Sequence, residues 1–519
     1  MIKFIKDGFT VKVDATIKQL KTLRKLTLDS FTISDPNFKQ IQNRYYYFNN
    51  KLSSMNPDEN GYKEILLKKN NLETYLRYNN GTISFYHINE KLNIHSFGIG
   101  FLRMVKKILK ENNIRFKIIE NFSYPEIKID KNDFNRNYQY KAIKSFFKRK
   151  YGIIKLPTGS GKTEISRQAI NILNKNTPLL ENKLRVCFIV EQSDLLLQTR
   201  DSFIFDNLDS NQIGLYGQKY KDADSIITIC TVQSLLAFKK SNRKKYNEFC
   251  KTQFMIIVDE CELFTSDKRT SIIKDFLHSK YRLFLSATPF SRFETIKEMK
   301  MIEISGGVIF TAKDEDLIED GFLSEQKAFF IDNYNIYCHN GKNKWLDVYK
   351  NQLVENKHRN NLILEIYNVL LSLNMKALFV VEQEEHGKIL SSKLGISFYK
   401  GSNSIEERKD VINRIQDGSE KMVITTRIFR RAINIPELQV YINCAGYKSD
   451  GITIQAKGRI TRKTETKVKG IYIDFFDYGN KYLEYHSEER EKTMVLNNIS
   501  QIRIDVKNLE SEIKKFIED

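Results

Sequence analysis

The sequence has little of what metal centres, disulfide scaffolds and membrane anchors require. Its six cysteines, at positions 187, 230, 250, 261, 338 and 444, are irregularly spaced with no CxxC pair, and only seven histidines occur among 519 residues. That pattern argues against a zinc site and against a disulfide framework. No apolar run approaches the roughly 20 residues that a bilayer-spanning helix needs. The opening stretch, MIKFIKDGFTVKVD, is broken by charge before a signal-peptide core could form. A soluble, cytoplasmic protein with no membrane partner is expected.

What is present is ordinary in composition and uneven in charge. Hydrophobic residues make up 41% and charged residues 29%, as in globular chains rather than disordered ones. The length is about three times that of a typical domain of roughly 100–200 residues, so several separate cores are expected. Lysine and arginine number 84 against 64 acidic residues, giving a formal charge of +20. Residues 1–150 hold 29 basic and 14 acidic side chains, so +15 of that charge lies there. A basic N-terminal module suits a polyanion. A Lys- and Asn-rich bias that merely solvates a surface explains the count equally well.

Short runs rich in Ile, Val and Phe alternate with helical stretches, the signature of parallel α/β sheets. The first series is Gly152–Leu156, Val186–Val190, Ser225–Cys230, Phe254–Val258 and Arg282–Leu285. A second comprises Lys376–Val381, Ile396–Tyr399, Met422–Thr425, Val440–Asn443 and Ile471–Asp474. The crossing between the two is placed at 300–330, around LIEDGFLSEQ. Near the N-terminus, Leu72–Tyr78 and Thr82–His87 flank Asn80-Gly81, a strong hairpin signal because both turn positions tolerate positive φ. Phe97–Glu111 then has helical spacing. The division expected is 1–120, a small basic α+β nucleic-acid-binding domain; 121–305 and 306–485, two α/β domains; and 486–519, a charged helical tail.

The sharpest chemical signal is Pro157-Thr158-Gly159-Ser160-Gly161-Lys162-Thr163, directly after an apolar strand and before a helix. Glycines at 159 and 161 let backbone N–H groups turn onto phosphates at a helix N-terminus, where the dipole favours negative charge. Lys162 would reach the β- and γ-phosphates, and the Thr163 hydroxyl would ligate Mg2+. A second acidic site is supplied by Asp259 and Glu260 after the apolar run Phe254–Val258. Asp259 sits at the strand end where ligands of open α/β sheets bind. It suits the Mg2+ shell, and Glu260 suits orienting or deprotonating water. ATP and Mg2+ are the cofactors implied.

With these motifs in place, the chain resembles the superfamily 2 helicases, and more closely the UvsW-type recombination helicases of T-even phages. Arg136-Asn-Tyr-Gln139 resembles the glutamine motif that reads adenine, and the loop at 157–163 is motif I. Val190–Gln198 and Thr231-Val-Gln233-Ser-Leu235 resemble strand-contacting motifs. Val258–Glu262 matches motif II, and Ser286-Ala-Thr288-Pro289 matches motif III, which couples hydrolysis to movement. Motif V begins at Thr425. Gln455-Ala-Lys-Gly-Arg459-Ile-Thr-Arg462 matches motif VI. Arg459 and Arg462, three apart, would share a helix face and act as arginine fingers.

The resemblance spans about 135–480 and implies two tandem RecA-like parallel-sheet domains behind the small α+β domain. It also implies an ATP-dependent DNA helicase or translocase, a monomeric motor acting on single-stranded or branched DNA and on RNA–DNA hybrids, in the host cytoplasm if phage-encoded. Two departures stand out. Glu262 replaces the usual His or Asp of motif II, and motif V carries Ala432 and Asn434 where Gly and Asp are common. Three other readings stay open: an RNA helicase, the motor subunit of a restriction system, and a clamp that binds ATP without turning it over. Outside the motors, Arg44-Tyr-Tyr-Tyr-Phe48 is either core on a half-buried strand or a platform for stacking bases. His386 is assigned no chemistry.

Overall fold

In the computed structural model, the residues described are 1–34, 38–53, 65–66, 68–70, 82–89, 94–120, 124, 126–176, 185–205, 209–290, 295–334, 345–400, 405–426, 438–447, 469–496 and 499–518. They gather into two units. One comprises Met1–Ile154, Gln168–Glu191 and Asp206–Phe310; the other comprises Lys155–Arg167, Gln192–Phe205 and Thr311–Asp519.

The first unit opens with the strands β1 (Ile2–Asp7) and β2 (Thr10–Asp14), turned back on each other at Gly8, where φ is +59°. Short strands β3 (Thr32–Ser34) and β4 (Thr82–Ser84) pair separately. With β5 (Tyr86–Asn89), β6 (Ile94–Gly98) and β7 (Phe116–Glu120), the first two strands build a five-stranded sheet in the order β5-β6-β2-β1-β7. Alternation drives it: Ile2, Phe4, Val11 and Val13 point into a core closed by Phe31, Phe97 and Phe101. The hairpin expected around Asn80-Gly81 lies outside the described residues on its first arm. Its second arm is broken at Phe85, β4 going to β3 and β5 to β6. Of the helical stretch read at Phe97–Glu111, Phe97 and Gly98 complete β6, and the helix runs Leu102–Glu111.

Behind this sheet stands an eight-stranded one: β8 (Tyr151–Lys155), β9 (Arg185–Val190), β10 (Ile213–Gly217), β11 (Tyr220–Lys221), β12 (Ile227–Thr231), β13 (Gln253–Val258), β14 (Tyr281–Ser286) and β15 (Val308–Thr311). Their order is β11-β10-β12-β9-β13-β14-β8-β15. The pairs β10–β12, β12–β9, β9–β13 and β13–β14 are parallel. Strands covered on both faces read as continuous apolar runs, and so β12, β13 and β14 are buried at every position.

The second unit holds β16 (Glu325–Asn333), β17 (Ala377–Val381), β18 (Phe398–Tyr399), β19 (Met422–Thr426), β20 (Val440–Asn443), β21 (Lys469–Asp477) and β22 (Ser500–Ile504). Their order is β18-β19-β17-β20-β21-β16-β22, with every pair parallel. β22 lies inside the segment expected to be a helical tail. It pairs with β16, and the following helix Leu509–Glu518 buries Leu509, Ile513 and Phe516 in the sheet's core. Two fully buried ion pairs brace β21: Arg490 donates to Asp474 at 2.8 Å, and Arg359 donates to Asp477 at 3.1 Å and to the Cys444 carbonyl at 2.9 Å. Burying a charge is costly, and pairing with hydrogen bonds offsets that cost here. No helix among the described residues is long and apolar enough to cross a membrane.

Candidate active site

β8 ends at Lys155, and the chain then makes a tight turn before the helix Lys162–Asn176. Gly159 and Gly161 both adopt φ +86°, a left-handed conformation that costs glycine nothing and a side chain dearly. Ser160 closes the turn, its N–H and its hydroxyl both donating to the Pro157 carbonyl, at 3.3 and 2.7 Å. Lys162 and Thr163 form the helix's first turn, and Lys162 is 9% exposed. Backbone N–H groups at a helix start, with the helix dipole behind them, are the construction by which proteins hold phosphates. Gln139, in the helix Asn137–Arg149, is buried and accepts from Gln168 Nε2 at 3.4 Å.

β13 carries the acidic pair. The Asp259 N–H donates to the Ile189 carbonyl at 3.0 Å, extending the pairing with β9 to the strand's end. Asp259 Oδ1 accepts the N–H of Glu260 at 3.0 Å, and Glu260 itself sits at φ 45° and ψ 54°. A glutamate in the left-handed region is uncommon and strained, a condition that recurs at functional positions. The turn is braced by Arg269, which donates to Glu191 at 2.7 Å and to the Leu263 carbonyl. Sequence reading had no signal for this brace, since its partners lie 78 residues apart.

Glu262 accepts a hydrogen bond from Ser286 Oγ at 2.6 Å, and Ser286 Oγ in turn accepts the N–H of Thr288 at 2.9 Å. The longer acid at position 262 therefore remakes the link between the segment after β13 and the segment after β14. Thr231 caps the helix Val232–Ser241, accepting from the Ser234 N–H at 3.1 Å, and Gln233 is exposed in its first turn. Gln198 is exposed on the helix Asp194–Phe205. Thr425 is buried near the end of β19, and its Oγ1 has no hydrogen-bond partner among the described residues.

Gln455, Arg459 and Arg462, with Ala432 and Asn434, lie outside the described residues. Arg44–Phe48 is not on a strand but in the helix Phe38–Ser53, with Tyr46 56% and Tyr47 59% exposed, so the half-buried strand reading is set aside. His386 is buried against Asn360, 3.0 Å from its Nε2, and burial pushes its pKa down to about 3. It is a neutral part of the second core.

A threonine hydroxyl at a helix start and a carboxylate at a strand end are the donor types by which Mg2+ is held, since that ion binds through one or two protein oxygens together with substrate phosphates and water. Residues 134–291 match the family described as Type III restriction enzyme, res subunit, and residues 357–464 match the helicase conserved C-terminal domain. A protein of Sulfolobus islandicus filamentous virus named as a helicase is 26% identical over 492 residues, covering 87% of this chain and 86% of that one. The ATP-dependent DNA helicase uvsW of Enterobacteria phage T4 is 22% identical over 355 residues, covering 66% and 68%. Among solved structures, S. cerevisiae Dbp5 bound to RNA and ADP BeF3 superposes with a TM-score of 0.54 at 16% identity, covering 74% of this chain and 92% of that one. With a phosphate loop, a strand-end acidic pair and both domains matched in order, the chain belongs to the superfamily 2 ATP-dependent helicases.

Proposed function

We propose that this helicase is a DNA translocase that acts on branched DNA, at forks, junctions and R-loops, in recombination and repair. The observation that carries the reading is the pairing of a nucleotide site of this construction with a strongly basic N-terminal region, +15 over the first 150 residues. The likeness to uvsW, a named DNA helicase, supports DNA as the track.

In this reading Gln139 selects adenine, and Pro157–Thr163 cradles the phosphates with Lys162 neutralising the γ-phosphate. Thr163 and Asp259 hold Mg2+, which when bound offsets charge on the phosphates. Glu260 orients and deprotonates the attacking water. Gln455, Arg459 and Arg462 act on the transferring phosphoryl, where an arginine finger is worth roughly 10³–10⁵ in rate. Gln198, Thr231, Gln233 and Thr425 grip the strand, and Ser286 and Thr288 relay the state of the acidic segment.

The test is ATP hydrolysis by purified protein and by Lys162→Ala, against single-stranded DNA, a fork, a four-way junction, RNA and no nucleic acid. Turnover should be greatest on branched DNA and absent in the folded variant. Stimulation by RNA alone would transfer the motor to the other nucleic acid. No turnover on any of them would favour the clamp.

A further inference from the structure

The five-stranded sheet meets the start of β8 at a concave surface that the motor motifs do not use. One cavity there, ≈ 320 Å³, is lined by Lys6, Arg103, Lys106, Lys148, Arg149 and Lys150. A second, ≈ 390 Å³, shares Lys148 and Lys150 and is walled by Tyr124, Tyr140, Phe147 and Tyr281. Glu120 is the one carboxylate lining either cavity among the described residues, and it is already engaged by Lys6 and, at 3.7 Å, by Lys150. No carboxylate among the described residues pairs with Arg103, Lys106, Lys148 or Arg149.

Three further observations say that this charge is held in place against a cost. Burial, with the like charges of Lys6, Lys110, Arg149 and Arg103, pushes the Lys106 ammonium below the usual lysine range. Lys150 occupies the left-handed position that ends the helix Asn137–Arg149, φ 72°, where glycine is the unstrained choice; its ammonium lies 3.5 Å from the centre of the Tyr124 ring. Arg282, 3% exposed, has no paired carboxylate among the described residues and rests 3.9 Å from the Phe9 ring. Crowded cations that outnumber their one counter-charge repel one another, and an anionic chain laid along them reduces that repulsion. A concavity walled by aromatic rings suits a nucleotide whose base is unpaired and can stack, whereas a duplex keeps its bases stacked on one another.

We propose that this surface is a second nucleic-acid site, taking a single-stranded segment with its phosphates along Lys106, Lys148 and Arg149 and a base in the adjoining aromatic cavity. It rests on the nucleic-acid reading above and extends it to a strand held apart from the motor. The surface lies at the start of β8, the strand whose end leads into the phosphate loop. The site would keep one displaced strand bound through the motor's cycle.

The experiment compares the full-length protein with a Lys106→Gln, Lys148→Gln, Arg149→Gln variant, titrating a fluorescent 20-nucleotide poly-dT and a blunt 20-base-pair duplex between 50 and 300 mM salt. For poly-dT the log–log salt slope should fall by about 2, from roughly 0.7 per lost phosphate contact. Affinity near 100 mM should drop at least about tenfold, with ATP turnover at saturating DNA unchanged. Lys150→Gly, which relieves the left-handed strain, should weaken poly-dT binding without lowering the melting temperature. An unchanged slope for poly-dT, or a loss confined to the duplex, overturns the site. So does a wild-type surface whose three cations serve binding to phosphatidylglycerol vesicles and not to poly-dT. If the wild type shows DNA-stimulated turnover and the variant's slope is unchanged, this site fails alone; if turnover is never stimulated while the slope falls, the helicase reading fails and the strand site stands.

Discussion

Glu260 holds its left-handed backbone at φ 45° because the turn around it is fixed from both sides, by Asp259 Oδ1 on its own N–H and by Arg269 on the Leu263 carbonyl. Such strain costs on the order of 1–3 kcal/mol in a residue with a β-carbon. Glu260→Gly should remove it, offset by about 0.5–1 kcal/mol of extra freedom in the unfolded chain. The expected variant keeps or slightly raises its melting temperature while losing at least about 10²-fold in DNA-stimulated turnover. A clear loss of stability would mean that the glutamate side chain, rather than the activity, maintains the turn. The neighbouring Glu262 to Ser286 bond, 2.6 Å long, is open to a different measurement. A hydrogen bond to a charged group is worth roughly 1.5–3 kcal/mol, so Glu262→Ala and Ser286→Ala should be non-additive in unfolding by about that amount. Strand displacement should fall further than ATP turnover in both. Additive effects would remove this bond from the relay.

At the scale of elements, the first sheet is joined to the motor by a backbone approach that only glycine permits. A β-carbon on Gly100 would lie 1.5 Å from the Ile302 carbonyl oxygen, and one on Gly98 2.1 Å from Glu303 Cγ, in the helix Thr295–Ser305. Gly100→Ala should therefore cost about 3 kcal/mol, the upper end of ordinary overpacking, read as a lowered melting temperature. A melt within about a degree of wild type would mean that this contact is slack. Much of the architecture is legible before any coordinates: ten apolar runs coincide with β8, β9, β12, β13, β14, β17, β18, β19, β20 and β21 to within a few residues, because strands covered on both faces must be apolar throughout. The strands that escape notice have mixed sequences. β10 is Ile-Gly-Leu-Tyr-Gly, whose glycines read as a turn, and β22 is Ser-Gln-Ile-Arg-Ile at a sheet edge. β16 begins Glu-Gln-Lys, hiding a nine-residue strand in what reads as a linker. Consecutive tyrosines at 45–47 carry strand propensity, yet they lie on a helix, since five residues give no period to decide between the two. The left-handed turn at Gly159 and Gly161 and the acidic pair at the end of β13 are legible because glycine spacing and strand-end acids are local signals. The Arg269 brace and the basic concave surface depend on residues far apart in sequence.

For the whole molecule, the decisive quantity is where the charge sits and what it is attached to. The +15 carried by residues 1–150 is part of one packed unit: Phe9 belongs to the core under the eight-stranded sheet, and Met299 and Ile302 pack against the core of the five-stranded one. Deleting residues 1–120 would uncover both cores along with the Arg282 guanidinium, so loss of binding by such a truncation would report misfolding as readily as missing charge. The intact chain offers a cleaner measurement, because charge that contacts phosphate releases counterions and charge that is merely solvated does not. If the basic region engages six or more phosphates in addition to the motor's own contacts, the DNA concentration for half-maximal ATP turnover should rise about 10³-fold or more between 50 and 200 mM salt. The ATP concentration for half-maximal turnover should change far less, since the phosphate loop meets its ligand with oriented N–H groups and one lysine. Equal, shallow dependence of both constants would show that the N-terminal charge solvates a surface, and the DNA grip would then have to be sought in the motor domains alone.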